Sequence, residues 1–203
     1  MTNDRECIVF WRAVKRLHDL MAMLVELEGV RPTIGRDVFI APNAVLIGDV
    51  RVGDRANIWF GTVLRGDYAH IEIGEGSSIQ DNAVIHCADD LPTVVGRDVI
   101  VGHGAILEGC VVEDAALVGM GAIVCQRARL GSGAMLAAGA VLSERTEIRS
   151  SMLAAGVPAS EKKELSGSAK GWTDHAAAEY QRLRARYLAG ARFEDLENEP
   201  LPG

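Results

Sequence analysis

The chain has 203 residues, of which 48% are hydrophobic, and it carries a formal net charge of −7. This size accommodates one sizeable domain with an appendage, and an acidic chain without a cluster of Lys and Arg is a poor partner for nucleic acid. No apolar stretch approaches the roughly 20 residues of a membrane-spanning helix, and the first residues lack the order of a signal peptide, so we expect a cytoplasmic protein that binds no membrane.

The first segment, residues 1–24, does not share the pattern of the rest of the chain. Four apolar residues there are spaced to form one face of a helix: Phe10, Val14, Leu17 and Met21. A lone short helix is marginal without packing. A helical extension and a mis-called leader, with Met21 or Met23 as the true start, are both open interpretations.

The next segment, residues 25–159, has a six-residue period. Aliphatic residues recur at this spacing, with short interruptions, in the following series: Ile34, Ile40, Leu46, Val52, Ile58 and Leu64; Ile73, Ile79 and Ile85; Val95, Val101 and Leu107; Val112, Val118, Val124, Leu130, Leu136 and Leu142. Neither the helical period of 3.6 nor the strand period of 2 explains this spacing. The pattern predicts an all-β solenoid, a parallel β-helix in which three hexapeptides close one triangular coil of about 18 residues.

The recurring aliphatic residue is expected to point inward, and the series indicates about six coils between residues 34 and 145. Glycine often follows the inward residue, as at Gly35, Gly53, Gly74, Gly119 and Gly131. We expect the chain to bend sharply at these glycines, because glycine tolerates backbone conformations that other residues avoid.

The repeat stops after Met152, and residues 160–193 are predicted to be helical. Thr173 is a candidate N-cap. One apolar stripe follows it at spacings of three or four, which predicts a helix packed along the solenoid: Ala176, Tyr180, Leu183 and Tyr187. The acidic tail, residues 194–203, contains two prolines and is expected to be loosely ordered.

The four cysteines, Cys7, Cys87, Cys110 and Cys125, form no CxxC pair. A repeat core of this size needs no covalent crosslinks, so we expect reduced thiols. Cys87 and Cys110 are expected to pack as small hydrophobic residues rather than to supply a thiolate.

Coil counting predicts which polar residues become neighbours. His86 and Glu108 each follow an inward aliphatic residue directly and lie one complete turn apart, and Arg65 lies one turn before His86. These three should form a line on one face of the triangle. The same count places Gln80, Asp81 and His103 together on a different face, so one solenoid cannot unite the two groups.

Several motifs in this region resemble the γ-class carbonic anhydrase family. They are Arg65-Gly66-Asp67, Ile79-Gln80-Asp81-Asn82, His86, Gly102-His103-Gly104-Ala105, Gly109-Cys110 and Val118-Gly119-Met120-Gly121-Ala122. The resemblance implies a left-handed β-helix, which departs from the right-handed crossover preference, and a homotrimer with zinc between subunits. It also implies three histidine ligands. Two of these match His86 and His103, and the third position is Glu108 here.

In a trimer, the face of one subunit that carries His86 and Glu108 meets the neighbour's face that carries His103, giving three equivalent sites. A set of His₂Glu is a known catalytic zinc site with an open position for water. Zinc is the expected metal, with iron and cobalt as alternatives, and the implied reaction is hydration of CO₂ to bicarbonate or related lyase or hydrolase chemistry on another carbonyl. The carboxylate of Glu108 should raise the pKa of the bound water relative to a third imidazole and slow the reaction.

The resemblance also implies roles for four further residues, which we treat as candidate catalytic residues. Arg65 and Asp67 are similar to ion-pair elements between subunits, with Asp81 as partner, and trimer assembly is the simpler role for them. Gln80 is similar to a residue that hydrogen-bonds near the metal-bound water, and its alternative role is to satisfy backbone groups in a turn.

Two other functions are open on the sequence alone. One is an acyl-CoA transferase or thioesterase, with His86 or His103 as general base. The other is a non-catalytic trimeric scaffold in which Glu108 marks a lost metal site. The short connection from Cys87 to Thr93 offers only Asp89 and Asp90 as proton shuttles, which predicts slow proton transfer out of the site.

Overall fold

The computed structural model describes residues 22–192. The predicted features of residues 1–21 and of the acidic tail from residue 193 onwards lie outside the described residues. Within residues 22–192 the chain forms 20 strands, labelled β1 to β20, and one helix, α1 (Gly167–Gly190). The strands are β1 (Met23–Val25), β2 (Thr33–Ile34), β3 (Phe39–Ile40), β4 (Val45–Val52), β5 (Asn57–Ile58), β6 (Val63–Ile73), β7 (Ser78–Ile79), β8 (Val84–His86), β9 (Thr93–Val95), β10 (Ile100–Val101), β11 (Ile106–Glu108), β12 (Val111–Val112), β13 (Leu117–Val118), β14 (Ile123–Val124), β15 (Arg129–Leu130), β16 (Met135–Leu136), β17 (Val141–Leu142), β18 (Glu147–Ile148), β19 (Met152–Gly156) and β20 (Ala159–Glu164).

The strands stack in parallel on three faces of a left-handed β-helix with about seven turns. Face 1 contains β1, β8, β11, β14, β17 and the first halves of β4 and β6. Face 2 contains β2, β9, β12, β15, β18 and the second halves of β4 and β6. Face 3 contains β3, β5, β7, β10, β13, β16 and β19. The long strands β4 and β6 therefore turn the corner between face 1 and face 2.

The structure confirms the predicted inward residues. From Leu46 to Leu142 every member of the six-residue series is at most 5% exposed. Ile34 is exposed and Ile40 is only half-buried, because β2 pairs only with β4 and β3 only with β5 among the described residues. Burial of each aliphatic side chain contributes about 1.5–3 kcal/mol, so the stacked interior is the main stabilising feature of the solenoid.

The solenoid is longer than the predicted six coils. β1 pairs with β4 and places Leu24 opposite the inward Leu46. β19 pairs with β16 and places Ala154, which is fully buried, opposite Leu136. An alanine in the inward position does not stand out in an aliphatic series, so sequence reading ended the repeat too early.

The prediction of sharp bends at the glycines next to the inward residues is wrong. Gly74 lies in ordinary backbone, and the left-handed turn conformation belongs instead to Gly76, at φ +73°. A Cβ at Gly74 would lie 2.2 Å from the carbonyl oxygen of Gly96 in the next coil. Glycine is required at position 74 because the backbones of adjacent coils approach closely there.

The end of the solenoid is closed by a hairpin before the helix begins. β20 pairs antiparallel with β19, so the first residues of the predicted helical segment 160–193 are a strand. The proposal of Thr173 as N-cap is wrong, because α1 begins after Ser166 and Thr173 lies inside it. The Thr173 hydroxyl donates instead to the carbonyl of Ala169, one turn earlier, as threonine commonly does within helices.

Helix α1 packs along face 3, as its apolar stripe predicts. Tyr180, Leu183 and Tyr187 contact a cluster formed by Phe39, Ala41 and Trp59. The buried Ala176 contacts Ile100 and Leu117 further along the same face. Within residues 22–192, no helix combines the length and the hydrophobicity that crossing a bilayer requires.

Candidate metal centre

Three of the predicted site residues lie in register on face 1. Arg65 pairs with His86, and His86 pairs with Glu108, across adjacent parallel strands. Each follows a buried inward residue directly, so its side chain lies on the outer surface of the solenoid. Parallel strands are about 4.8 Å apart, and the three side chains are therefore neighbours, which confirms the predicted line.

Asp67 lies at the corner that β6 turns after Arg65, and it contacts both Arg65 and His86. Its Oδ1 is 2.8 Å from His86 Nε2, and its Oδ2 accepts a hydrogen bond from the Arg65 guanidinium. Burial raises the pKa of Asp67, but the hydrogen bonds from His86 and Arg65 and the charge of Arg65 outweigh it and hold the pKa below its ordinary value. Asp67 is thus a carboxylate that orients the imidazole of His86.

Two residues that sequence reasoning missed support this line. The fully buried Thr93 donates its hydroxyl to the backbone carbonyl of His86 and accepts the Gly109 amide at 2.7 Å. Gln126 Nε2 donates to Glu108 Oε1 at 2.7 Å. Thr93 links His86 of its own coil to Gly109 of the next coil, and Gln126 lies one coil after Glu108. Both lie off the inward series, so the period alone gave no signal for them.

His103 lies apart from this line, at the corner between face 3 and face 1. Its Nδ1 is 2.8 Å from Asp81 Oδ2, and its backbone amide donates to Gln80 Oε1 at 3.2 Å. The structure therefore groups His103 with Gln80 and Asp81, as coil counting predicts. Asp81 holds one ring nitrogen, which directs the opposite nitrogen, Nε2, away from it.

Gln80 is buried and has both ends of its amide engaged. Its oxygen accepts the His103 amide, and its side chain hydrogen-bonds the hydroxyl of Tyr180 on α1. Burial and the nearby Asp81 carboxylate raise the pKa of Tyr180, and the hydrogen bond from Gln80 opposes them. These contacts correspond to the alternative interpretation of Gln80, in which it satisfies a backbone group at a turn.

Comparison with known proteins identifies relatives of this chain. A family model described as bacterial transferase hexapeptide (six repeats) matches residues 31–66. The carnitine operon protein CaiE of Salmonella agona is 36% identical over 165 residues, which are 80% of this chain and 82% of that protein. The mitochondrial γ carbonic anhydrase 2 of Arabidopsis thaliana is 39% identical over 176 residues, which are 83% of this chain and 63% of that protein.

The chain belongs to the γ carbonic anhydrase-like family of hexapeptide-repeat proteins. It spans less than two thirds of the length of the Arabidopsis relative. A crystal structure of a hexapeptide transferase family protein from Anaplasma phagocytophilum is 43% identical to it, with a TM-score of 0.78 over 81% of this chain and 98% of that one. The left-handed fold that the resemblance implies is therefore correct.

In this γ carbonic anhydrase-like chain, one group of side chains has potential ligand atoms close together without a second subunit. Among the described residues, Asp67, His86 and Cys87 each offer a ligand atom within 4.8 Å of the others. The Cys87 thiol is fully buried and hydrogen-bonds the backbone of Ala69 and Arg65. Cys87 therefore packs as a small hydrophobic residue, as expected.

The described cysteines are reduced, as expected, and Cys110 is buried like Cys87 whereas Cys125 is half-buried. Cys87, Cys110 and Cys125 are free thiols, and Cys7 lies outside the described residues. Burial raises the pKa of Cys110 to about 12, so it stays protonated at neutral pH.

The three predicted metal ligands therefore fall into two groups within one chain. His86 and Glu108 are adjacent on face 1, and His103 lies at the corner with face 3. Arg65 pairs with Asp67 of the same chain, and Asp81 pairs with His103. The ion pair between Arg65 or Asp67 and Asp81 of a neighbouring subunit stays a prediction.

Proposed function

We propose that this protein is a metal-dependent carbonic anhydrase that hydrates CO₂ at sites shared between the subunits of a homotrimer. His86 and Glu108 of one subunit and His103 of the next are the proposed ligands. The observation that carries this proposal is the strand register. It places His86 beside Glu108 on face 1 and leaves His103 at the corner with face 3, where it is available to a neighbouring subunit.

The donor set fits a metal ion. Two imidazoles and one carboxylate form a known catalytic zinc set, and iron or cobalt would accept the same nitrogen and oxygen donors. Each proposed ligand is held by an outer partner: His86 by Asp67, His103 by Asp81 and Glu108 by Gln126. Carboxylates that hydrogen-bond ligating histidines fix the ring orientation and the tautomer.

A zinc ion held here would act as a Lewis acid that lowers the pKa of a coordinated water molecule towards about 7. The charges of the chain's own residues determine how far the pKa of that water would fall. The carboxylate of Glu108 adds negative charge that imidazole would not, which favours retention of the proton on that water. Arg65 lies one strand from His86, but its guanidinium is paired with Asp67 and leaves the charge of Glu108 uncompensated. We therefore propose a slower enzyme than one with three histidines.

The trimer is supported by the outer surface of face 1. Val84 and Ile106 are 38% and 43% exposed and lie next to each other in adjacent strands. They precede the inward residues, and His86 and Glu108 follow them, so this apolar strip borders the proposed ligands. Exposed aliphatic side chains in register are typical of an interface between subunits.

The test is stopped-flow measurement of CO₂ hydration, with elemental analysis of the protein purified without chelators. We expect bound metal and a rate above that of buffer, and His103→Ala should abolish both. His175→Ala is the matched control, because His175 lies on α1 and its Nδ1 contacts the carbonyl of Gly171. Stoichiometric zinc without any hydration would contradict the activity, and absence of metal would favour the scaffold.

A second candidate function is acyl transfer or thioester hydrolysis, with His86 or His103 as general base. It is favoured by the similarity to the hexapeptide transferase family protein of Anaplasma phagocytophilum. Calorimetry with coenzyme A separates this candidate from the first, because a hydratase for CO₂ has no need to bind the coenzyme.

A further inference from the structure

A pocket lies between helix α1 and face 3, and it opens beside His103. Its volume is about 280 Å³, and we call it the helix pocket. Its lining is mainly apolar and includes Leu117, Met120, Ala137 and Trp172, together with Gly102 and Gly119. Its polar lining residues, Gln80, His103 and Tyr180, have been described above as neighbours of one another.

The pocket exists because two coils lack an outward side chain under the helix. Gly102 and Gly119 follow the inward Val101 and Val118, whereas Trp59 and Gln80 occupy the same position in earlier coils. A Cβ at Gly102 would lie 2.7 Å from the amide nitrogen of Met120. The stacking of coils therefore excludes side chains here, and α1 covers the space that is left.

The mouth of the pocket exposes two large apolar side chains. Met120, in the coil above His103, is 59% exposed, and Trp172 on α1 is 50% exposed. Both border the same hollow. Covering them removes apolar surface from water, which is the main source of affinity for a ligand with an aliphatic body.

We propose that the helix pocket binds the aliphatic chain of a short-chain acyl group, with the acyl carbonyl at His103. The ligand needs one polar end, because the polar lining groups are together at one end, and an apolar body, because the remaining lining is aliphatic or aromatic. The volume is at the lower limit of ligand pockets, which favours a short chain. The inference rests on the proposed function because both place a carbonyl compound at His103: CO₂ in the proposed function and an acyl group here.

Isothermal titration calorimetry with acetate, butanoate and hexanoate tests this directly. The full chain is titrated as purified and again after removal of metal with a chelator. We expect binding to tighten by about fourfold for each methylene that enters the pocket, in both preparations. Hexanoyl-CoA, with free coenzyme A as its control, shows whether the acyl group is preferred as a thioester or as the free acid.

Two variants assign the binding to this pocket. Ala137→Leu should fill the hollow, and Trp172→Ala should remove its outer wall, so each should lose most of the preference for hexanoate over acetate. Leu188→Ala is the matched control, because Leu188 lies on the same helix with 52% exposure and outside the pocket. The indole resonance of Trp172 should shift on addition of hexanoate and should not shift in Ala137→Leu.

Equal affinity for acetate and hexanoate, or an unchanged preference in both pocket variants, would overturn the proposal. A Trp172 indole that is already protected in the assembled protein and does not respond to hexanoate would assign the pocket to a neighbouring subunit instead, and would also overturn it. Binding of the aliphatic carboxylates is also measured on metal-free protein. Failure of the CO₂ hydration assay therefore does not affect the test of the helix pocket.

Discussion

Each proposed metal ligand contacts a polar side chain that a neighbouring coil supplies. Asp67 lies one coil before His86, Asp81 one coil before His103, and Gln126 one coil after Glu108. Such outer contacts commonly change metal affinity by 10–100-fold when they are removed. At the scale of single residues, the chemistry therefore depends on the ligand identity at 108 and on the alignment of coils around it.

The substitution Glu108→His tests the ligand identity. Imidazole nitrogen suits zinc better than a carboxylate oxygen does, so we expect zinc affinity about tenfold higher. The loss of a negative charge from the site should also favour loss of a proton from a coordinated water, and so faster CO₂ hydration at neutral pH. Competition with a chromophoric chelator measures the affinity. Glu147→His is the control, because Glu147 is exposed on face 2. If both variants bind zinc as the original chain does, Glu108 is not a ligand.

At the scale of elements, the hairpin of β19 and β20 covers the end of the solenoid, and an ion pair between Glu161 of β20 and Arg149 joins it to the coil before. Glu161 accepts the backbone amide of Arg149 at 2.7 Å and hydrogen-bonds its guanidinium. The guanidinium and the amide lower the pKa of Glu161. The hairpin in turn leads the chain into α1, so its stability bears on the helix that covers face 3.

The pH dependence of this pair follows from the lowered pKa. A carboxyl group whose pKa is lower in the folded state stabilises the protein above its unfolded pKa, and that contribution disappears as pH falls through the folded pKa. We expect Glu161→Gln to unfold at lower denaturant concentration than the original chain at pH 7, and the difference to vanish in acid. Urea unfolding at both pH values measures it. Glu164→Gln, on the same strand, should show a smaller difference at pH 7.

The contact between α1 and face 3 depends on its aromatic side chains. The Tyr187 ring lies 5.3 Å from Phe39, 5.0 Å from Trp59 and 6.0 Å from Phe60, measured between ring centroids. Because each aromatic pair is worth about 0.5–1.5 kcal/mol, we expect Tyr187→Ala to lower the free energy of unfolding by about 2 kcal/mol. Leu188→Ala, which alters an exposed neighbour, should stay within about 0.5 kcal/mol. Equal losses in the two variants would contradict this packing.

The sequence predicted the elements unevenly, for physical reasons. The six-residue series identified the buried positions because each inward residue is fixed by its coil alone, as at Leu64 or Leu107. Thr93 binds Gly109 of the next coil as well as His86 of its own, and Gln126 binds Glu108 of the coil before it, so their roles appear only when register is known. The prediction of Thr173 as N-cap is wrong because it rested on residue type alone. The hairpin ends at Glu164, and the helix begins directly after Ser166.

At the scale of the whole molecule, the two groups of proposed ligands lie on different parts of one solenoid, so the proposed site needs a second chain. The outward strip of Val84 and Ile106 borders one group and is exposed in the single chain. We expect a mass of about three times the 21.7 kDa of the chain in solution.

The substitution Ile106→Lys tests this association. A charge in the strip should shift the mass towards that of one chain and lower the metal content, while the free energy of unfolding of the subunit changes by about 0.5 kcal/mol or less. Sedimentation velocity and elemental analysis measure the two effects. Val111→Lys is the control, because Val111 points outward on face 2 of the neighbouring part of the coil. A trimer that persists in Ile106→Lys would place the interface elsewhere.

The metal content of mixed trimers measures the shared site most directly. His86→Ala and His103→Ala subunits should each bind no metal alone, but co-assembly restores complete sites wherever an intact His86 meets an intact His103 from the next chain. Random mixing in equal amounts should restore about a quarter of the sites. Metal retained by His103→Ala alone, or none recovered in verified mixed trimers, would contradict a site built between subunits.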